Sequence, residues 1–229
     1  ETLILTVHRG GLMSARAFFF TTIRDDSTGA AYERWAQDVD YPFTRPQPSV
    51  GRYEIMRVSP LAIGTAPAWE YVELIEVDDA DTFPSVFEQP EAEPIIKELR
   101  TFINTDPLGL VGRQVYVEPG KAARTSRRAV FAVRIASETQ HSAYEGHATA
   151  LAHELVASPG IGRVEIVRID GRYKRDDDAP LDYLVIVDVD DSHVPPNRVE
   201  ELLEPVLVNS AESFALGGTL IECLDRPVL

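Results

Sequence analysis

Histidine, tyrosine and glutamate can move protons near neutral pH, and the chain presents them in two patterned places. From His141 onward, His141, Tyr144, His147, Ala148, Leu151 and Leu155 recur at helical spacing and share one helix face. On this reading His147 points toward a sheet, where its imidazole can serve as general acid or base, with Tyr144 one turn away. The alternative is a hydrogen-bonded core histidine. His141 only starts the helix, and His153 is predicted to face solvent. The second place is the strand pattern around Tyr71–Val77, where alternation sets Tyr71, Glu73, Ile75 and Val77 on one face. Burial of Glu73 among these apolar neighbours would raise its pKa toward neutrality. The alternatives are an exposed carboxylate or an ion pair with Arg57 on the next strand. Tyr32, Trp35 and Tyr53 are candidates for an aromatic wall against a planar ligand, or for plain core. Arg57 and Tyr71 complete the predicted substrate-binding set.

Other chemistries lack their residues. Gly160-Ile161-Gly162 precedes a strand and has Glu165 where a dinucleotide fingerprint needs its third glycine. There is no phosphate-binding loop and no GxSxG elbow, and His153-Glu154 does not extend to HExxH. His8, His193 and the acidic run Asp176–Asp178 lack metal-ligand spacing. No metal and no cofactor are therefore expected. The single cysteine, Cys223, excludes an internal disulfide and reads as a small buried hydrophobe. With 22 basic and 37 acidic residues the net charge is −15, which disfavours nucleic acid as a partner. The one basic cluster, Lys121, Arg124, Arg127 and Arg128, reads as a solvated linker. No apolar run approaches the roughly 18 residues of a membrane span. Glu1–Arg9 shows no basic, apolar leader pattern, so the expectation is a cytoplasmic protein.

The elements that must position these residues come twice. Pro48–Val58 (PSVGRYEIMRV) recurs as Pro159–Ile169 (PGIGRVEIVRI), and Tyr71–Asp79 recurs as Tyr183–Asp191. Tyr32-Glu33 recurs as Tyr144-Glu145, and Phe19 as Phe131. Four segments in one order, each roughly 112 residues on, predict a tandem repeat. The expected division is a first module over 1–118, a linker over 119–128 and a second module over 129–229. In each half a strand, a helix, two strands, a second helix and a final strand follow one another. The predicted helices are Thr28–Val39, Asp81–Ile103 (broken at its prolines), His141–Val156 and Asn197–Phe214; Ser27 or Thr28 would cap the first. Thr2–Val7 is a further strand candidate. The order βαββαβ is the ferredoxin-like unit, whose helices cover one sheet face and leave the other to be buried. The fold class is thus α+β, with two ferredoxin-like modules packed sheet to sheet within one chain. That pseudo-dimer can pair again as a homodimer.

Tyr32-Glu33-Arg34-Trp35, Asp40-Tyr41-Pro42, Pro48-Ser49-Val50 and Tyr71–Val77, in this order, resemble the RedY-like (HapK-type) family over about Arg16–Val117. The resemblance implies the dimeric α+β barrel superfamily and a role in biosynthesis of prodigiosin-type pigments and related alkaloids. That superfamily also holds cofactor-independent monooxygenases, polyketide cyclases and chlorite-dismutase-like haem proteins, so fold alone does not choose a reaction. The second half departs from the pattern: His147 replaces Trp35 and Val185 replaces Glu73. Together these readings predict an enzyme of secondary metabolism that steers cyclisation or isomerisation of a tripyrrole, bisindole or polyketide-like intermediate. A cofactor-free monooxygenase and a non-catalytic carrier of such a molecule are the alternatives. On the histidine reading, His147→Ala should fold normally and lose turnover in an assay of aromatic intermediates.

Overall fold

The computed structural model describes residues 15–25, 28–60, 69–121, 127–135, 140–174, 178–190 and 210–220. Eight strands run through them: β1 (Ala15–Thr21), β2 (Val50–Pro60), β3 (Tyr71–Val77), β4 (Leu108–Pro119), β5 (Arg127–Ile135), β6 (Ile161–Arg172), β7 (Tyr183–Val189) and β8 (Ser210–Leu220). They close into an antiparallel barrel in the order β1-β3-β2-β8-β5-β7-β6-β4. Within each half the order is that of a ferredoxin-like sheet, β4-β1-β3-β2 and β8-β5-β7-β6. The halves do more than stack: they are hydrogen-bonded edge to edge, β2 to β8 and β4 to β6, which leaves no free sheet edge.

Strand alternation divides the side chains. Phe18, Phe20, Met56, Val72 and Leu74 of the first half meet Val130, Ala132, Val167, Leu184 and Ile186 of the second inside the barrel. The opposite faces carry the helices. In the first half these are α1 (Gly29–Trp35), a π-helical segment (Ala36–Asp40), α2 (Tyr41–Thr44), a 3-10 turn (Phe83–Glu88) and α3 (Ala92–Phe102). The second half has α4 (His141–Val156). Among the described residues no helix is long and apolar enough to cross a membrane.

Several sequence expectations need correction. The predicted helix from Thr28 is divided by the π-helical segment, and Thr28 flanks α1 without a side-chain cap on it. Its hydroxyl bonds back to the Asp25 carbonyl instead. The predicted helix Asn197–Phe214 lies mostly outside the described residues, but Ser210–Phe214 belong to β8. Thr2–Val7, His8, Asp176, Asp177, His193 and Cys223 also lie outside them. The largest correction concerns Arg128, which is 1% exposed rather than part of a solvated linker. It is the second residue of β5, and alternation turns it into the barrel with Val130 and Ala132.

Arg128 reaches across the seam. Its Nε donates to Asp188 Oδ1 at 2.6 Å in its own half, and its guanidinium bonds Glu54 of β2. Arg16, at the matching place in the first half, donates from Nε to Glu165 Oε1 of β6 at 2.7 Å. Arg163 joins the two pairs through Glu165 at 3.2 Å and Asp188 at 3.1 Å. Burial pulls the Arg128 pKa down, but the Asp188 and Glu54 charges outweigh it and hold it above its ordinary value. Removing one member of such a set leaves buried charge uncompensated, at a cost of about 3–5 kcal/mol. Arg128→Met is therefore expected to lower the urea unfolding free energy by about that amount. An unchanged midpoint and slope would show that the network adds nothing to closure.

Candidate functional site

A cavity of about 310 Å³ opens between the helix-bearing face of the first half's sheet and α3. Its inner end is buried and polar, with Asp40, Thr44, Tyr53 and Glu73 in its lining. Its walls are apolar: Phe19, Trp35, Ile75, Phe87, Ile95 and Leu99. Its outer end carries Arg100, Asp106 and, from the second half, Tyr173 and Lys174.

Local structure explains how these groups converge. Glu73 faces the helices because Tyr71, Ile75 and Val77 on the same strand face pack there. Asp40 arrives through the π-helical segment, where the Tyr41 N–H bonds the Ala36 carbonyl. One extra residue per turn rotates the following side chains relative to an α-helix, and such segments are frequent at functional sites. Tyr53 enters from β2, which pairs with β3. Tyr173 follows β6, and its N–H donates to the Gly109 carbonyl at 3.0 Å. This close passage needs glycine, since a Cβ at position 109 would lie 2.7 Å from Tyr173 Cβ and 3.1 Å from Phe19.

The inner end is a network of two carboxyl groups and three hydroxyls. Tyr53 donates to Asp40 Oδ2 through a short bond, and Thr44 donates to Asp40 Oδ1 at 3.0 Å. Tyr32, wholly buried behind the cavity, donates to Glu73 Oε1 at 2.7 Å. Burial, then the nearby Asp40 charge, push Glu73 up to about 8, against the opposing hydroxyl bonds from Tyr32 and Tyr53. Burial also raises Asp40, but its bonds from Tyr53 and Thr44 favour its anionic form. Burial, followed by the adjacent carboxylates, lifts Tyr32 and Tyr53 well above ordinary phenols, so both stay protonated as donors. Burial thus favours a proton on Glu73 at neutral pH, beside Asp40, whose carboxyl accepts from two hydroxyls.

The structure brings Trp35, Tyr53 and Glu73 together at the cavity and sets Tyr32 directly behind Glu73. It does not bring the others there. Tyr71 and Arg57 both bond Glu33, Tyr71 at 2.7 Å and Arg57 Nε at 2.6 Å, so Glu73 has no partner in Arg57. Tyr144 is buried against Tyr183 in the second half, its hydroxyl without a hydrogen bond. His147 is exposed, not turned to the sheet. The inward face of α4 runs through Tyr144, Ala148, Ala152 and Leu155, and at about 100° per residue His147 falls roughly 100° from its centre. His141 is buried, with Nδ1 2.9 Å from the Tyr183 hydroxyl. His153 is solvent-facing. Sequence reasoning missed Asp40, Thr44, Tyr173 and Lys174. Only Asp40 carried a signal, as the acidic residue of the Asp40-Tyr41-Pro42 segment.

Among the described residues no three His, Cys, Asp or Glu side chains gather as metal ligands would. The cavity lining also lacks the His, Cys or Met that commonly hold haem iron. Tyr53 is bound to Asp40, and a space of about 310 Å³ is small for a haem macrocycle. The cavity residues therefore do not fit a haem.

Fold and site together define an antiparallel α+β barrel with a cavity that holds two buried carboxyl groups. Residues 15–115 match the family described as REDY-like protein HapK. HapK from Hahella chejuensis aligns at 26% identity, over 48% of this chain and 99% of its own, with a TM-score of 0.39. A candidate monooxygenase from Fusobacterium nucleatum subsp. nucleatum aligns at 7% identity over 91% of this chain and 92% of its own, with a TM-score of 0.61. A chlorite dismutase variant from Candidatus Nitrospira defluvii aligns at 13% identity over 93% of each chain, with a TM-score of 0.55. The last two likenesses show a shared fold. No curated protein sequence matches the chain.

The raised Glu73 pKa ties stability to pH. An unfolded glutamate releases its proton near 4.5 and the folded one near 8, so the folded state binds the proton more tightly. The stability from protonated Glu73 is complete below about 4.5 and is lost as pH rises through about 8. Glu73→Gln, neutral at every pH, should gain stability relative to the parent between pH 5 and 9 in urea titrations. Parallel pH dependences of the two proteins would show that Glu73 is not held protonated.

Proposed function

We propose that the chain is a cofactor-independent acid–base catalyst of secondary metabolism. It would promote cyclisation or tautomerisation of a planar aromatic intermediate in the first-half cavity. The observation that carries this reading is the buried Asp40–Glu73 pair facing an otherwise apolar, aromatic-walled space. Asp40, whose carboxylate form is favoured by the hydroxyls of Tyr53 and Thr44, accepts a proton from the substrate, directly or through the Tyr53 hydroxyl. Glu73, fixed by Tyr32, returns a proton at a second atom. Holding the intermediate against Trp35 and Phe19 while water is excluded lowers the barrier further. The first-half match to REDY-like protein HapK supports a biosynthetic setting. The repeated segments and the repeated strand order support descent of the two halves from one duplicated module, with the divide near residues 119–128.

The same base could deprotonate a phenol for attack on dioxygen, so the decisive assay varies oxygen. Purified protein is incubated with aromatic pathway intermediates, with and without air, and products are resolved by liquid chromatography and mass spectrometry. The proposal expects an isomer of unchanged mass formed anaerobically. A product heavier by oxygen and formed only in air would replace it with the monooxygenase reading. Ligand retained unchanged would leave a carrier. Because Glu73 acts protonated, kcat/KM should fall as pH rises through about 8. Glu73→Gln should lower kcat by about 10²–10⁴-fold and abolish that alkaline limb.

A further inference from the structure

The rim of the cavity is built in part by the half that lacks the acid pair. We propose that Lys174 is a specificity residue: its ammonium takes a carboxylate on the outer end of the substrate and so aims the reacting end at Asp40 and Glu73. The inference rests on the acid–base reading and narrows it to aromatic carboxylic acids.

Three observations converge on this residue. Lys174 lines the cavity although it belongs to the turn after β6. Its φ of 53° makes it the one non-glycine residue in the left-handed region among the described residues. Glycine or asparagine meets that backbone at lower cost, and strained residues of this kind cluster at ligand clamps. Its Nζ lies 3.3 Å from Glu88 Oε1 of the 3-10 turn, bridging the two halves across the rim. That pair is open to solvent, with side chains 39% and 65% exposed, so its own contribution to stability is small. It is readily exchanged for a substrate carboxylate. Arg100 lines the same rim from α3, while Asp106 and Glu88 keep the rim from being a general anion trap.

Orientation follows from the polarity of the cavity. A carboxylate is disfavoured at the inner end, where two buried carboxyl groups already crowd, whereas Lys174 and Arg100 receive it at the mouth. Between them Tyr173 stands edge-on to Phe19, with ring centroids 5.0 Å apart, as the aromatic wall supplied by the second half. At about 310 Å³ the space is at the small end for ligand pockets, suiting two or three fused rings.

The test uses binding, which does not depend on turnover. The probes are 2-naphthoate and its neutral isostere 2-naphthamide, titrated calorimetrically at low salt. Naphthoate should bind the parent protein about tenfold more tightly than the amide, as a charge-assisted contact implies. Lys174→Asn, which tolerates the left-handed backbone, should remove the preference and leave amide binding unchanged. Lys174→Arg should restore the preference, and Glu73→Gln should retain it. Equal affinities in the parent protein, no measurable naphthoate binding, or a preference that survives in Lys174→Asn would each overturn the assignment. None of these results bears on whether Glu73→Gln loses turnover, so the two readings fail separately.

Discussion

The barrel depends on charge buried at its seams. β8 separates β5 from β2, and β4 separates β1 from β6. Over each of these seam strands an arginine reaches a glutamate of the opposite half, Arg128 to Glu54 and Arg16 to Glu165. Apolar alternation inside the barrel already favours one register, because a one-residue slip would turn every buried side chain to the other face. A buried guanidinium without its carboxylate adds a further cost to any slipped register, so these pairs reinforce it. The cavity inherits that precision: β1 and β3 form its floor, and the Tyr173–Lys174 turn reaches it only if β6 is correctly placed against β4.

Within this near-symmetric shell, the paired carboxyl groups that line the cavity between helices and sheet belong to the first half. Both halves keep a helix-to-sheet tie made by a glutamate, a tyrosine and an arginine. Glu33 joins Tyr71 and Arg57; Glu145 joins Tyr183 at 2.8 Å and Arg168 at 3.7 Å. That tie anchors the first helix and is independent of the cavity. The cavity residues do not recur. At the spacing of the repeat, Asp40 becomes Ala152, Tyr53 becomes Val164 and Glu73 becomes Val185, all in the second half's apolar core. Replacing two buried carboxyl groups with methyl-bearing side chains removes a large desolvation cost, and the helix can then settle onto its sheet. The second half reads as the one relaxed for packing, and the first as the one that keeps costly groups for chemistry.

What the sequence disclosed follows from which interactions are local. Alternation in Tyr71–Val77 and the repeat were enough to set Glu73 among apolar neighbours and to yield the strand order within each half. His147 falls outside because the face drawn through His141, Tyr144, His147 and Leu151 is too wide, and the inward face of α4 is centred on Ala148 and Ala152. Small residues mark close helix–sheet approach there, a weaker periodic signal than aromatic ones. Arg128 was misread because basic residues beside Pro119-Gly120 suggest a linker. The repeat held the better clue, since Arg128 occupies the place of Arg16, within an apolar strand. Asp40 depends on a π-helical turn that no simple periodicity predicts, and Tyr173 on a contact between distant strands.

The polar atoms without partners point the same way. Trp35 Nε1 and the Tyr173 hydroxyl belong to cavity-lining residues and are buried without hydrogen bonds. Such a group costs about 1–3 kcal/mol when left unpaired. A core under selection for stability alone would place phenylalanine at these positions. They join Glu73, with its raised pKa, and the left-handed Lys174 around the cavity, while the Tyr144 hydroxyl is a comparable unpaired group in the second half's core. The seam ion pairs and the closed sheet offset those costs from a distance, and on the proposed function a bound molecule would relieve them locally.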